Sequence, residues 1–340
     1  MSSSSPEVRV PFDDAYRAVR DAVGRLGITG ERGDRCARLF VEATRDGVYS
    51  HGVERFPVFA RSVRSGLVDV AASPELRAGS GTAIERWDGR RGPGNLNAWF
   101  AMDRAMALAR EHGVGAVALG NTNHWMRGGS YGWQAVERGF LALCWSNTLP
   151  NTSGAGEPPV VGNNPLVVGL PRAAGPLVLD MALSQFSVGV MTGYAQRGER
   201  LPLPGGFDAS GALTDDAAAV VSGGYGAAIG RWKGFALAVV LDAWAAMLSG
   251  GRATHELGTD PAQESGQTQF FLAVDPDAVS APGERERMVD GIVAALKAAP
   301  STAGSELRYP GEGTVRTRAE NLDHGLPIRR ETWDLIRSVE

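Results

Sequence analysis

Leu166-Val167-Val168-Gly169-Leu170-Pro171-Arg172-Ala173-Ala174-Gly175-Pro176-Leu177-Val178-Leu179 decides what kind of sheet this chain builds. Two short apolar runs, 166–170 and 177–179, flank a linker bounded by Pro171 and Pro176. Runs of that length between Pro and Gly punctuation read as strands. A parallel connection needs a dozen or more residues, usually with a helix, and this linker is far shorter. The two strands therefore pair antiparallel, and at least part of the sheet is antiparallel.

Outward from this hairpin, helical and strand patterns mix. Upstream, a helix is expected from near Pro93 to His112, with Trp99, Met102, Met106 and Ala109 inward and Gly113 as its stop. A buried strand follows at 114–119, then a helix at 129–138 and a strand at 140–147. The first 65 or so residues read as helical after a loose start over 1–10. Tyr16, Val19, Val23 and Leu26 mark one helix, Cys36, Leu39, Phe40 and Ala43 a second from about Asp34, and Phe56, Phe59, Ala60 and Val63 a third. Downstream, helices are expected at 187–198, 234–248 and 282–298, a strand at 269–274, and a short final helix with Trp333 and Ile336 inward. The mixture is α/β or α+β. Three stretches follow: a helical N-terminal region at 1–75, a central α/β region at 76–310, and a C-terminal segment at 311–340.

Composition narrows the functions available. The chain has 340 residues, 43% hydrophobic and 21% charged, which suits a globular protein with a large core. A net charge of −4 argues against a nucleic-acid surface. The longest apolar run, 235–248, is broken by Asp242 and falls short of the ~18 residues a membrane span needs. Met1 to Val10 has no basic segment followed by an apolar one, so no secretory signal is expected. Cys36 and Cys144 lie far apart among apolar residues and read as core thiols in a reducing cytoplasm. The five histidines lack ligand spacing, so no metal is expected. Gly224-Tyr225-Gly226-Ala227-Ala228-Ile229-Gly230 approaches a dinucleotide fingerprint, but its last spacing is one residue too long and no apolar strand precedes it. Phosphate-loop, nucleophile-elbow and HExxH motifs are absent.

Two polar clusters remain. In Tyr49-Ser50-His51-Gly52-Val53-Glu54-Arg55-Phe56, an imidazole stands four residues before a guanidinium at a helix entry. Imidazole can give a proton to a developing alkoxide and recover it. Arginine can hold a carboxylate through paired N–H donors. A capping histidine and a solvated arginine would leave the same trace. Asn121 to Tyr131 follows a strand and opens a helix, which suits either a binding loop or a turn with an aromatic anchor. Asp180 ends an apolar run, where a carboxylate can orient an imidazole or cap the next helix.

These segments carry a resemblance. Gly47-Val48-Tyr49-Ser50-His51-Gly52-Val53, Arg55-Phe56-Pro57, the run Asn123 to Ala135, Asn164-Pro165-Leu166, Asp180-Met181, Gly206-Phe207-Asp208, Trp232-Lys233-Gly234 and Pro310-Gly311 resemble the NAD(P)-dependent oxidoreductases of the malate/L-lactate/ureidoglycolate dehydrogenase type. That family is unrelated to Rossmann-fold lactate dehydrogenase. The similarity spans essentially the whole chain and is strongest to the family's 2,3-diketo-L-gulonate reductase branch. It implies a mixed α/β, non-Rossmann fold with a largely antiparallel central sheet flanked by helices, a homodimer, and a site between domains. It implies hydride transfer between a nicotinamide, NADH before NADPH, and a small 2-oxo acid, with His51 as proton donor and Asp180 beside it. Ser50, Arg55, His124, Arg127 and Asn163 become the substrate-binding candidates. Pro176, Leu177, Val178, Leu179, Asp180, Met181 and Ala182, then Trp232 and Lys233, then Gly311, Glu312 and Gly313, become the cofactor candidates. Malate, ureidoglycolate or cyclic-imine acid specificity, a pathway-specific ketone or imine, and a catalytically silent binding protein are the alternatives. The chain departs from the family at Asn151-Thr152-Ser153-Gly154-Ala155-Gly156, where a Pro-Pro-Trp-Gly-like loop is usual, and at Asn163, where threonine is usual. Loss of a tryptophan wall predicts a pocket that is wider, more flexible or lined from elsewhere, for example by a partner subunit, and a best substrate other than 2,3-diketo-L-gulonate.

Overall fold

Pro171 and Pro176 turn the chain back as the sequence predicts, pairing Leu166 with Met181, Val168 with Leu179 and Leu170 with Leu177. The computed structural model describes residues 6–281, 283–300 and 307–338. In chain order these form β1 (Glu7–Val10), α1 (Phe12–Arg25), α2 (Gly30–Arg45), two single 3-10 turns (Tyr49–His51 and Val53–Arg55), α3 (Phe56–Arg64), β2 (Glu75–Ala78), β3 (Ile84–Asp88), α4 (Gly94–His112), β4 (Val114–Thr122), α5 (Gly129–Val136), β5 (Leu141–Ser146), β6 (Thr152–Ser153), β7 (Leu166–Leu170) and β8 (Leu177–Met181). There follow α6 (Val188–Arg197), β9 (Gly206–Phe207), β10 (Leu213–Thr214), α7 (Ala217–Val221), β11 (Tyr225–Ala227), α8 (Trp232–Ser249), β12 (Gln267–Val274), α9 (Glu284–Ala298), α10 (Glu312–His324), β13 (Leu326–Arg329) and α11 (Arg330–Ser338).

Seven strands make the main sheet in the order β2-β3-β4-β12-β5-β7-β8. Only the β3–β4 pair in it is parallel. The fold class is thus mixed α/β with a largely antiparallel sheet. Alternation along β4 and β12 sends Val117, Leu119, Phe271 and Ala273 to one face, under α4. Ala116, Ala118 and Phe270 go to the other face, under Ala238, Leu241 and Ala245 of α8. Both faces are covered, which is why these strands read as near-continuous apolar runs. A four-stranded sheet, β10-β9-β11-β6, sits apart with α6 and α7 around Met191, Leu201, Ala217 and Val220. Gly224 to Gly230 supplies β11 of this small sheet and the turn into α8, not a dinucleotide loop.

The N-terminal helices form a separate core. Val19, Val23, Phe40 and Phe56 pack with Leu326 and Ile328 of β13 and Ile336 of α11. β1 pairs antiparallel with β13, Val8 opposite Ile328 and Val10 opposite Leu326. The start expected to be loose is therefore β1 over Glu7–Val10, while residues 1–5 lie outside the described residues. Helix α10 was not expected. Its sequence, Glu312 to His324, has only Asn321 buried, so it carries little apolar periodicity. β2 and β3 were missed for a related reason: Glu85, in an otherwise exposed stretch, is buried by a two-point contact with Arg104 at 2.7 and 2.8 Å.

α8 begins at Trp232, so Lys233 lies inside its first turn rather than ahead of it. Its 18 residues are long and apolar enough by length and composition to cross a membrane. Its inner face nevertheless belongs to the sheet layer, and buried Asp242 accepts from Thr254 N at 3.0 Å and from Asn147 Nδ2 at 3.0 Å.

Candidate active site

The 3-10 turns at Tyr49–Arg55 press against α2 because Gly52 carries no side chain. A Cβ there would lie 2.2 Å from Thr44 Oγ1 and 2.7 Å from Thr44 N. Thr44 Oγ1 instead accepts from Val53 N at 2.8 Å. This contact fixes the turn that presents Ser50, His51 and Arg55. Opposite it, the loop after β4 carries His124 between two non-glycine residues in the left-handed region, Asn121 at φ 50° and Met126 at φ 66°. Such backbone is strained by roughly 1–3 kcal/mol per residue and gathers where a site over-determines it. Met126 N donates to His124 Nδ1 at 3.0 Å, so a neutral His124 carries its proton on Nε2.

The two imidazoles stack, with ring centroids 5.7 Å apart and planes 21° from parallel. Ser50 Oγ lies 2.9 Å from His51 Nδ1. Burial and the nearby Arg55 guanidinium hold His51 below its ordinary value, and Asp180 pulls it partly back. Burial, Arg55 and His51 hold His124 much further down, so it stays neutral. Arg55, His124, Asn123, Phe59 and Glu264 line one small cavity. Here, then, are a proton carrier, a neutral N–H donor and a guanidinium side by side, which is what carbonyl reduction in an anionic substrate requires.

Asp180 Oδ2 accepts from Gly129 N at 2.9 Å. A Cβ on Gly129 would stand 2.6 Å from that oxygen, so glycine is the residue that admits the carboxylate. Two of the three expected cofactor segments, 176–182 and 311–313, meet along β8. Val178 N donates to Pro310 O at 3.0 Å, and Gly311 at φ 96° approaches so closely that a Cβ would lie 3.1 Å from Val178 N. Past the strand, Ile229 N donates to Leu183 O at 2.8 Å, which brings the start of α8 alongside. Lys233 is exposed there in the first turn of α8, where the helix dipole adds positive potential. These residues fit a dinucleotide: a backbone cradle, a cation for phosphate, and a carboxylate whose charge acts on His51.

Of the substrate-binding candidates, Arg55 and His124 line this cavity, while Ser50, Arg127 and Asn163 do not. Arg127 is buried and bonded to Asp46 Oδ2 at 2.6 Å, so its charge is spent within the fold. Asn163 is not among the residues lining the cavity; its Oδ1 accepts from Thr148 Oγ1 at 2.9 Å and its carbonyl from Leu183 N at 2.7 Å. The altered loop packs away from the cavity too. Gly154 lies against Phe235 and Gly156 against Gly211, and Glu157 accepts from Gly154 N and Ala155 N at 2.7 and 2.8 Å. None of the loop residues 151–156 lines this cavity. Two residues absent from the sequence reading matter: Glu264, which reaches Arg55 from 209 positions away, and Asp46, which binds three arginines. Neither sits in a recognisable motif. Among the described residues, no group of three or more His, Cys, Asp or Glu could hold a metal ion.

Residues 10–337 match the family described as Malate/L-lactate dehydrogenase. The chain is 37% identical over 337 residues to the 2,3-diketo-L-gulonate reductase of Citrobacter koseri, covering 98% of this chain and 100% of that protein. It is 38% identical, at the same coverage, to the protein of the same name from Klebsiella pneumoniae. The crystal structure of delta1-piperideine-2-carboxylate reductase from Pseudomonas syringae superposes with a TM-score of 0.85 at 28% identity, covering 98% of this chain and 100% of that one. Sulfolactate dehydrogenase from Methanocaldococcus jannaschii shares the fold, with a TM-score of 0.91 at 24% identity over 98% and 96% of the two chains. The chain therefore belongs to the malate/L-lactate dehydrogenase family and is an NAD(P)-dependent oxidoreductase of 2-hydroxy and 2-oxo acids.

Proposed function

We propose that this enzyme reduces the carbonyl of a small 2-oxo acid to the 2-hydroxy acid, most like a 2,3-diketo-L-gulonate reductase. The observation that carries this is the stacked His51–His124 pair beside Arg55. Arg55 takes the substrate carboxylate, and the neutral His124 offers Nε2–H to the carbonyl oxygen. A reduced nicotinamide held beside them would supply the hydride for the carbonyl carbon. His51 delivers a proton to the oxygen as negative charge develops there, Ser50 holds its Nδ1, and Asp180 stabilises the imidazolium. Oxidation of the hydroxy acid runs the same proton path backwards.

Residues 176–182, 232–233 and 311–313 would hold the cofactor. Lys233 is the one cation in these segments, and Glu312 is already paired with Lys297 at 2.7 Å. A pyrophosphate uses that cation and leaves none there for a 2′-phosphate, which supports NADH over NADPH. Replacing Lys233 with Ala is expected to raise the cofactor Kd about ten- to a hundredfold, the worth of a charged hydrogen bond. An unchanged Kd by fluorescence titration would leave Lys233 a solvated helix-start residue.

A second copy of the chain completes the molecule. α8 exposes Trp232, Val240 and Met247 at 70%, 57% and 75%, more apolar surface than a lone helix face keeps in water. A light-scattering mass near twice the 35.8 kDa chain is expected, and a one-chain mass would overturn the dimer. Both cysteines are free and buried, which suits the reducing cytoplasm where we place the protein; its recovery in an extracellular fraction would contradict that.

The function is tested by following nicotinamide absorbance with NADH and NADPH against 2-oxo acids, 2,3-diketo-L-gulonate and cyclic imine acids. The imine acids are included because of the 28% identity to the piperideine-2-carboxylate enzyme. No turnover with any of them would favour a silent binding protein; a clear preference for imines would replace the carbonyl reading.

A further inference from the structure

Glu264 enters the cavity from the segment between the 3-10 turn Pro261–Gln263 and β12. Its side chain is 15% exposed. Oε1 accepts from Gln267 Nε2 at 2.9 Å, and Oε2 lies 3.5 Å from Arg55 Nη2. A forked arginine–carboxylate pair is shorter, about 2.7–2.9 Å with two parallel bonds. This contact is single and long, so it leaves most of the guanidinium fork to a ligand. Arg55 is also the only Arg or Lys among the described residues lining the cavity, and its imidazole neighbour His124 is held neutral.

The polar atoms around it are unbalanced in one direction. Asn123 Oδ1, Gln267 Oε1 and Gln269 Oε1 are buried without a hydrogen-bond partner. Their amide nitrogens are spent: Asn123 Nδ2 on the carbonyls of Leu67, Arg91 and Gly92, Gln269 Nε2 on Asn123 O, and Gln267 Nε2 on Glu264. That commitment fixes which end of each amide is oxygen. Among its lining residues the cavity thus offers Arg55 the Glu264 carboxylate and the Asn123 oxygen as acceptors and no second Arg or Lys.

We propose that Glu264 is a specificity-determining residue, selecting monoanionic 2-oxo acids whose tails carry O–H or N–H donors and rejecting dianions. The inference rests on the proposed role of Arg55 as the carboxylate anchor. A monoanion places Arg55 between two carboxylates, its own and Glu264, for a net charge of −1. A second carboxylate on the substrate would add another charge beside Glu264 with no cation to meet it, in a partly dehydrated space where such repulsion is strong. A hydroxyl or amine in the same place instead donates to Glu264, whose remaining lone pairs are open.

The test uses pyruvate, 3-hydroxypyruvate and oxaloacetate as a neutral-tailed, a donor-tailed and a dianionic probe of the full-length enzyme with saturating cofactor. Glu264→Gln keeps the shape and removes the charge. Its kcat/KM ratio of oxaloacetate to pyruvate is expected to rise about ten- to a hundredfold, through KM rather than kcat, and its preference for hydroxypyruvate over pyruvate to fall. Glu264→Asp, which keeps the charge, is expected to retain most of the wild-type ratio. Arg55→Met separates the two readings: it should raise KM for all three probes. An unchanged oxaloacetate ratio in Glu264→Gln, with Arg55→Met still raising every KM, overturns the role of Glu264 alone. Unchanged KM values in Arg55→Met overturn the anchor on which it rests.

Discussion

His51→Ala lowers kcat by 10²-fold or more and leaves the cofactor Kd near that of the wild type. The imidazole stands between Ser50 Oγ at 2.9 Å and the His124 ring. What the variant loses is proton delivery to the alkoxide, a step that general acids accelerate by about 10²–10⁴-fold. The loss therefore falls on kcat and kcat/KM together, the mark of an interaction made in the transition state. The pH dependence follows from the same group. Reduction needs His51 protonated at the start, and burial and Arg55 lower its folded value below the ordinary one. Reductive kcat/KM accordingly falls as pH rises through that lowered value, while oxidation, which needs the neutral base, rises over the same interval. Rates of both directions measured from pH 5 to 9 check this. Wild-type-like turnover in His51→Ala would remove His51 from the mechanism and turn attention to His124, whose deep burial makes it the poorer proton carrier.

Most of the architecture was legible because its strands and helices bury apolar faces at regular spacing. α4, β4, β5, β12 and the β7–β8 hairpin all declare themselves this way. Elements held by polar contacts were not legible. α10 buries one asparagine and is tied to α2 through Arg318 and Asn321, β3 encloses a charged glutamate, and β1 pairs with a strand more than 300 residues away, β13. The site divides along the same line. Ser50, His51, Arg55 and His124 fall in two dense local motifs, and the structure brings those motifs together. Arg127 belongs to one of them, yet its guanidinium turns inward, since local spacing does not say which side of a loop holds the counter-charge. Glu264 is a lone carboxylate whose meaning comes only from the fold that sets it against Arg55.

The inward turn of Arg127 identifies Asp46 as a residue with a large effect on stability. Asp46 caps the end of α2 and is 4% exposed. It accepts from Arg45 Nε at 2.7 Å, Arg127 Nη1 at 2.6 Å, and Arg318 Nε and Nη2 at 2.8 and 2.9 Å. One carboxylate thus joins the N-terminal helices, the loop that carries His124, and α10. Burial alone would raise its pKa, but the bonds from Arg318, the charge of Arg127 and the contact with Arg45 outweigh it and bring the group to about 2. A carboxylate lowered on folding stabilises the fold above its unfolded value of 3.8 and ceases to as pH falls toward about 2. Asp46→Ala at neutral pH leaves Arg127, itself 4% exposed, buried without its counter-charge. Breaking a buried pair in this way costs about 3–5 kcal/mol. Urea unfolding at pH 7 should show that loss, and the gap between wild type and variant should narrow as the pH falls below 4. Because the same network holds the 124–129 loop, the variant should also lose activity at temperatures where it is still folded. A stability loss under about 1 kcal/mol would mean that water replaces the carboxylate among the three arginines, and that the loop is held by its strained backbone and the Tyr131 hydroxyl bond to Trp125 O at 2.5 Å.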